Sequence, residues 1–179
     1  MSENLNRRQF LKENWEVSIG FLGSFLTQAE EKPSFFRPPG ASGEFAFLSS
    51  CTRCGRCKEA CEEGAISLFT AGAGAQLAFT PFLDPNLTPC TMCGKCAEAC
   101  GAGVLNPTGR LQIGKARIIP DFCLAFQKIS CDYCLRACPE KALTLNNGSP
   151  EVNCRCTGCG LCTASCISDY KGIWVDLPS

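Results

Sequence analysis

Histidine is absent from this chain of 179 residues, and so is an excess of charge of either sign, because Lys plus Arg and Asp plus Glu both number 17. Without histidine the chain cannot form a Ser-His-Asp triad, and it contains no phosphate-binding loop or dinucleotide-binding fingerprint. A formally neutral chain also lacks the basic signature of a nucleic-acid-binding protein. We therefore identify no catalytic residue and expect neither a small-molecule substrate nor a nucleic-acid partner.

Long hydrophobic runs are missing as well. The best apolar stretch, "VSIGFLGSFL" at residues 17–26, has ten residues, whereas about 20 are needed to span a bilayer. It follows "NRRQFLK", which resembles a twin-arginine export signal, but Glu13 and Glu16 interrupt the apolar region that should come next. Read as a helix, this segment has one apolar face, formed by Leu11, Trp15, Ile19, Leu22 and Leu26.

Three roles are open for this N-terminal arm. These roles are packing on the rest of the chain, docking on a partner or a membrane surface through residues 7–26, and directing export. The interrupted apolar region and the poor cleavage site "TQAEE" favour retention of the arm. We predict a cytoplasmic protein, free or attached peripherally to a membrane, with periplasmic location by twin-arginine export as the alternative.

Cysteine is the residue that the chain has in excess, with 17 among 179 residues. The odd number disfavours a framework made only of disulfides. Much of the apolar content is Cys, Ala and aromatic residues, so the apolar core is expected to be thin. Metal ligation would then supply part of the folding free energy.

The cysteines repeat with a fixed spacing. The run Cys-x-x-Cys-x-x-Cys-x-x-x-Cys occurs at residues 51–61, 90–100 and 156–166. A fourth run, Cys131, Cys134 and Cys138, lacks its first member, and Cys123 is the expected replacement across "CLAFQKISC". Cys154 has no place in the pattern, and we predict that it is a buried thiol without a ligand role.

This spacing is typical of 4Fe-4S clusters. A loop with two-residue gaps directs three thiolates at one cluster, while the fourth cysteine is expected to begin a short helix and to point at the neighbouring cluster. Zinc ribbons need isolated Cys-x-x-Cys pairs, and three thiols crowded into one loop do not suit disulfides, so both alternatives are weaker. Small glycines such as Gly158 and Gly160 fit the crowded loop that this ligation requires.

Four 4Fe-4S clusters are therefore predicted. The first is held by Cys51, Cys54, Cys57 and Cys100, and the second by Cys90, Cys93, Cys96 and Cys61. The third is held by Cys123, Cys131, Cys134 and Cys166, and the fourth by Cys156, Cys159, Cys162 and Cys138. We call these groups of thiols the first, second, third and fourth sets.

The predicted fold is α+β and consists of two tandem ferredoxin-like modules of two clusters each, behind an N-terminal helical arm. The arm and a Pro- and Gly-rich linker occupy residues 1–44, the first module residues 45–115 and the second module residues 116–179. Each module is expected to contain two short helices and small hairpins. The segments "AISLF", "ALTL" and "GIWVDL" are predicted strands.

The order "RPPGA", "FLSSCTRCGRCKEAC", "CTMCGKCAEAC", "DFCLAFQKISCDYCLRACPEKAL" and "CTGCGLCTASC" resembles the NapF-type ferredoxins associated with periplasmic nitrate reductases. The lengthened gap from Cys123 to Cys131 is the most specific element. The resemblance implies a non-enzymatic iron–sulfur protein with four clusters, which acts in the cytoplasm on a molybdenum-containing subunit or its electron supply.

Two functional hypotheses are consistent with these features. The chain relays single electrons to or from a redox protein partner, such as a molybdenum-containing reductase subunit. Alternatively, it is an accessory maturation factor that assists iron–sulfur or cofactor assembly in a nitrate-reductase-type partner. The sequence alone does not separate the relay from the maturation factor.

Overall fold

A computed structural model describes residues 35–108 and 111–177. The predicted N-terminal helical arm, including the proposed docking residues 7–26 and the export motif, lies outside the described residues. The elements are all short because the chain between the cysteine runs is rich in glycine and proline. The described chain is therefore a series of short helices and strands that alternate with the cysteine loops.

Four helices of one turn each belong to the cysteine runs. Helix α1 spans Glu44–Ser50, and the four one-turn helices that come after it are α2 at Arg56–Glu59, α3 at Lys95–Glu98, α4 at Tyr133–Arg136 and α5 at Leu161–Ala164. Two 3-10 turns span Ala71–Ala73 and Pro120–Phe122. The prediction of two short helices in each module is met by α2 to α5, whereas α1 was not predicted.

The position of these helices corrects one expectation. Helix α2 contains Cys57, the third cysteine of its run, and ends two residues before Cys61, the fourth. The fourth cysteine therefore follows the helix and does not begin it. The reason is Gly55, which has φ 78° and turns the chain into the helix directly after Cys54, so the single turn is complete before Cys61.

Six strands form three antiparallel two-stranded sheets. Strand β1 (Ile66–Leu68) pairs with β2 (Pro81–Leu83), and β4 (Leu143–Asn146) pairs with β5 (Ser149–Val152). Strand β3 (Lys115–Ile118) pairs with the C-terminal β6 (Ile173–Asp176). The strands predicted in "AISLF", "ALTL" and "GIWVDL" are confirmed as β1, β4 and β6, whereas β2, β3 and β5 were missed.

The end of the predicted linker packs on the first module. Phe36 forms a β-bridge with Leu83, and Ala41 forms one with Leu105. Between them, Arg37 makes an ion pair with Glu44 at 2.5 Å and donates hydrogen bonds to the Thr80 hydroxyl and to a backbone carbonyl. The described part of this segment is thus fixed by its contacts and is not a free spacer.

Two clusters of buried apolar side chains lie beside the thiols. One surrounds Phe47, Leu83 and Leu105, and it includes Val175 from the C-terminal strand. The other surrounds Leu143 and Ile173. Cysteine side chains belong to both clusters, and residues 35–177 form one compact unit where they are described. Among these residues, no helix is long and apolar enough to cross a membrane.

Candidate metal centres

The first set of thiols lines one cavity. Cys51 caps the C-terminus of α1, Cys57 lies in α2, and Cys100 follows α3. Together with Cys54 these thiols form part of the wall of a cavity of about 20 Å³, which Phe47 also lines. Three thiols therefore come from the loop and helix of one run, and the fourth comes from the next run.

The second set lines a larger cavity of about 180 Å³. Cys90, Cys93 and Cys96 come from the loop before α3 and from α3 itself, and Cys61 comes from the chain that follows α2. In the structure, the two runs thus exchange their fourth cysteines between the cavity walls of the first and second sets. This exchange ties the two runs of the first module together.

The third set lines a cavity of about 20 Å³, and it includes Cys123 as well as Cys131, Cys134 and Cys166. Cys123 directly follows the 3-10 turn Pro120–Phe122, and its side chain is buried, with 9% exposed. The long loop then folds back, because the amides of Phe126 and Gln127 both donate to the Cys123 carbonyl. The structure therefore brings Cys123 to the other three thiols of its predicted set.

The fourth set is also assembled. Cys159 and Cys162 are buried, and the pKa of each thiol is raised by burial first and then by nearby thiolates that include Cys156. Cys138 adds to the raised pKa of Cys159 in the same way. Cys156 and Cys162 also belong to one buried cluster, against which Cys138 packs.

Burial dominates the electrostatics of the thiols. It raises the pKa of Cys57, Cys90, Cys96 and Cys134 to about 11, and that of Cys162 to about 12. Neighbouring thiolates contribute to these raised values, because like charges oppose ionisation. At neutral pH such thiols are mostly protonated, and a cationic centre that compensates the charge favours their ionised form, as iron does in thiolate clusters.

Backbone amides donate hydrogen bonds to sulfur atoms of the third and fourth sets. The amide of Ala116 donates to Sγ of Cys156, that of Ala142 to Sγ of Cys138, and that of Gly172 to Sγ of Cys166, each at 3.3 Å. Hydrogen bonds to ligand sulfur stabilise the thiolate and tune the potential of a cluster. Sequence analysis missed these donors, because every residue except proline has an amide and none of them has a signature.

The donor set fits a 4Fe-4S cluster. Four thiols on the wall of a cavity suit a group that has volume, since its four irons each take one thiolate. Within residues 35–108 and 111–177, no three Cys, Asp or Glu side chains are arranged to hold a single metal ion.

The sets are adjacent in pairs. The charge of Cys57 in the first set contributes to the raised pKa of Cys96 in the second. In the second module, Cys134 of the third set contributes in the same way to the raised pKa of Cys162 in the fourth. Helix α2 packs against α3, and α4 packs against α5. Each pair of sets thus meets through the third cysteines of its two runs.

Cys154 differs from the prediction made for it. A buried thiol without a ligand role is expected from the sequence, but the Cys154 side chain is exposed. The reason is the turn at Asn153, whose side-chain oxygen accepts a hydrogen bond from the amide of Arg155. This turn leaves Cys154 on the outside while Cys156 is buried two residues later.

Comparison with protein families and with individual proteins agrees with this geometry. Residues 50–104 match a 4Fe-4S dicluster domain, and residues 156–170 match a 4Fe-4S binding domain. The chain therefore contains two ferredoxin-type 4Fe-4S domains with a mixture of helices and strands. The remaining cysteines of the pattern, Cys123 to Cys138, lie between the two matched segments.

Three relatives show how far the similarity extends. The methylamine utilization ferredoxin-type protein MauM of Paracoccus denitrificans is 35% identical over 187 residues, which cover 89% of this chain and 81% of that protein. Ferredoxin-type protein NapG of Escherichia coli is 33% identical over 200 residues, covering 94% and 84%. Ferredoxin-type protein NapF of the same organism is 35% identical over 136 residues, covering 73% and 79%. The chain thus belongs to the family of ferredoxin-type 4Fe-4S proteins that includes NapF, NapG and MauM.

Proposed function

We propose that the chain relays single electrons through four 4Fe-4S clusters. The observation that carries this proposal is the adjacency of four sets of cysteine thiols, in which the packing of α2 on α3 joins the first set to the second and the packing of α4 on α5 joins the third to the fourth. Each cluster, when bound, supplies a centre that accepts or releases one electron. Sixteen of the 17 cysteines have a ligand role in this proposal.

The residues of the chain contribute binding and insulation. Thiolates of each set hold the metal, and the buried positions of Cys57, Cys96, Cys123 and Cys162, one in each set, keep water from the inner side of each site. The amides that donate to Cys138, Cys156 and Cys166 stabilise negative charge on sulfur. Since all four thiols of each set are used as ligands, no position is left for a substrate, and we propose an electron carrier and not an enzyme.

The partner proposed is another redox protein. One relative carries methylamine utilization in its name, and the resemblance to NapF-type ferredoxins implies a molybdenum-containing reductase subunit. Each oxidised cluster with its thiolates adds roughly two negative charges, so the loaded protein is acidic although the chain is formally neutral. A partner with a basic docking face is expected. We propose that the protein stays in the cytoplasm with its N-terminal arm retained.

Metal analysis of anaerobically purified protein tests the proposal. Four clusters require about sixteen iron and about sixteen sulfide per chain. A value of about eight iron in fully reconstituted protein would contradict four clusters. A pull-down from anaerobic extract then separates the two functional hypotheses. A relay should capture a partner that already contains its metal centres, whereas a maturation factor should capture a metal-free client.

A further inference from the structure

The two modules meet at a contact between cysteines of different sets. The amide of Cys90, in the second set, donates a hydrogen bond of 2.8 Å to the carbonyl oxygen of Cys159, in the fourth set. A backbone hydrogen bond thus joins a predicted ligand of the first module to one of the second. We call this contact, with the glycines beside it, the seam.

Two glycines permit this close approach. A Cβ atom added to Gly160 would lie 1.9 Å from the carbonyl oxygen of Pro85, and one added to Gly158 would lie 2.4 Å from the carbonyl carbon of Gly114. Neither position has room for a side chain, since real Cβ atoms do not approach backbone so closely. Both glycines flank Cys159, so the seam is tightest at the ligand that makes the hydrogen bond.

The side-chain amide of Asn86 makes two further hydrogen bonds between the modules. Asn86, in the first module, donates through Nδ2 to the carbonyl of Val175 at 3.0 Å and accepts through Oδ1 from the amide of Val175 at 2.8 Å. Val175 is buried in strand β6. Because both hydrogen bonds go to backbone, they fix the position of the second module without depending on its side chains.

The seam determines the order of the four sets. Within the modules, helix α2 with Cys57 packs against α3 with Cys96, and helix α4 with Cys134 packs against α5 with Cys162, so the first set meets the second and the third meets the fourth. Between the modules, the second meets the fourth through Cys90 and Cys159. The sets therefore follow one another in the order first, second, fourth, third, which differs from their order along the chain.

We propose that the Cys90–Cys159 hydrogen bond is the bridge by which electrons pass between the modules, with the first and third sets at the two ends. This inference rests on the proposed relay function. One electron leaves the second-set site, which is oxidised, and arrives at the fourth-set site, which is reduced, or the reverse. No covalent bond breaks and no proton moves. The electron enters at one end from a one-electron redox protein and leaves at the other end to a second one.

A matched pair of variants tests the bridge. Gly160 and Gly94 both precede a one-turn helix, with φ 82° and φ 80°, so alanine imposes the same left-handed strain at either position. Only at Gly160 does the new Cβ strike the other module, whereas nothing lies within 4 Å of a Cβ at Gly94. Gly160→Ala therefore opens the seam, and Gly94→Ala controls for strain in a ligand loop.

Three readouts are taken on the full, cluster-loaded chain. Iron content reports loading, hydrogen exchange of the peptide that contains Cys90 reports the seam, and pulsed electron paramagnetic resonance of the dithionite-reduced protein reports magnetic coupling between sites. We expect Gly160→Ala to lose the hydrogen-exchange protection of the Cys90 peptide and the magnetic coupling between the second-set and fourth-set sites. The couplings within each module should persist. Gly94→Ala should keep the protection and all couplings found in the unsubstituted chain.

Two results would overturn the bridge. One is an opened seam in Gly160→Ala with every coupling intact, and the other is equal loss of coupling in Gly94→Ala. If Gly160→Ala does not load iron, Asn86→Ala loosens the same seam from outside the ligand loops and is read in the same way. About sixteen iron in the unsubstituted chain is required by the relay itself, so a lower value contradicts the proposed function and is distinguishable from failure of the bridge.

Discussion

At the scale of single residues, Cys123 and Cys154 compete for one ligand position, and their surroundings differ. Cys123 is buried and lines the cavity of the third set, whereas Cys154 is exposed. We predict that Cys123→Ser loses or alters one cluster, so that iron falls from about sixteen to about twelve per chain on loss, or one cluster signal changes on alteration. Cys154→Ser should keep all four clusters. Iron analysis with electron paramagnetic resonance measures both, and the opposite result would reassign the ligand.

Thr163 and Thr80 can also be compared as single residues, since both are fully buried. The Thr163 hydroxyl has no hydrogen-bond partner among the described residues, whereas the Thr80 hydroxyl donates to the Leu77 carbonyl at 2.7 Å and accepts from Arg37. An unpaired buried hydroxyl costs about 1–3 kcal/mol. Thr163→Val should therefore leave stability unchanged or raise it by about 1 kcal/mol.

The control variant is expected to change the stability in the opposite direction. Thr80→Val removes the same hydroxyl but leaves the Leu77 carbonyl and one Arg37 N–H without a partner, so we expect a loss of about 1–3 kcal/mol. Denaturant unfolding of the loaded protein, followed by cluster absorbance, compares the two variants. A destabilised Thr163→Val variant would show that this hydroxyl makes a contact in solution.

At the scale of elements, the loop between Cys123 and Cys131 distinguishes the third set from the others. It forms a compact turn, in which the amide of Ile129 donates to the Leu124 carbonyl at 3.0 Å. The side chains of Phe126 and Ile129 are exposed on it. This loop changes both the solvent exposure and the backbone donors around its site, so we expect the third site to have a potential of its own.

Shortening the loop tests this expectation. Deleting residues 125–129 leaves Cys-Leu-Ser-Cys, which has the two-residue gap of the other runs. We predict that one potential moves toward the other three, by on the order of tens of millivolts. Potentiometric titration with electron paramagnetic resonance measures the shift, and Phe126→Ser, which keeps the loop length, is the control. Four unchanged potentials in the shortened chain would contradict a role for the loop.

The elements that could be predicted from the sequence are those with local signals. The cysteine spacing indicated which thiols would lie together, because one turn of helix separates the third and fourth cysteines of a run. Strands β1, β4 and β6 carry β-branched and aromatic residues. Strands β2 and β5 were missed because they contain Pro81 and Pro150, and β3 because two of its four residues, Lys115 and Arg117, are charged. Their pairing depends on tertiary contacts, which local propensity does not encode.

The contacts of the seam could not be predicted from the sequence either. Gly158 and Gly160 fit a crowded ligand loop on sequence grounds, and both do have positive φ. Their contacts with Gly114 and Pro85 lie in parts of the chain that the sequence offers no reason to bring together. The sequence does not distinguish a glycine that a turn requires from a glycine that close contact with another segment requires. The order of the four sets could therefore be inferred only from the structure.

At the scale of the whole molecule, the short elements of the described residues cannot be stable one by one. Four helices have a single turn, and each sheet has two strands. Isolated helices of this length and lone hairpins are at best marginal in water. Cysteine side chains belong to both buried clusters and pack against them. The free energy that orders the chain must then come largely from metal ligation, as in other small metal-binding domains.

Removal of the clusters should consequently unfold the protein. Ordering each residue costs roughly 1–2 kcal/mol of backbone entropy, and without iron the buried thiols contribute only as small apolar groups. We predict that oxidation with a chelator abolishes the native circular dichroism and the hydrogen-exchange protection of strands β3 and β6, and that anaerobic iron, sulfide and thiol restore both. Chelator alone, without oxidant, is the control and should leave the spectrum unchanged. A native spectrum from iron-free chain would mean that apolar packing suffices.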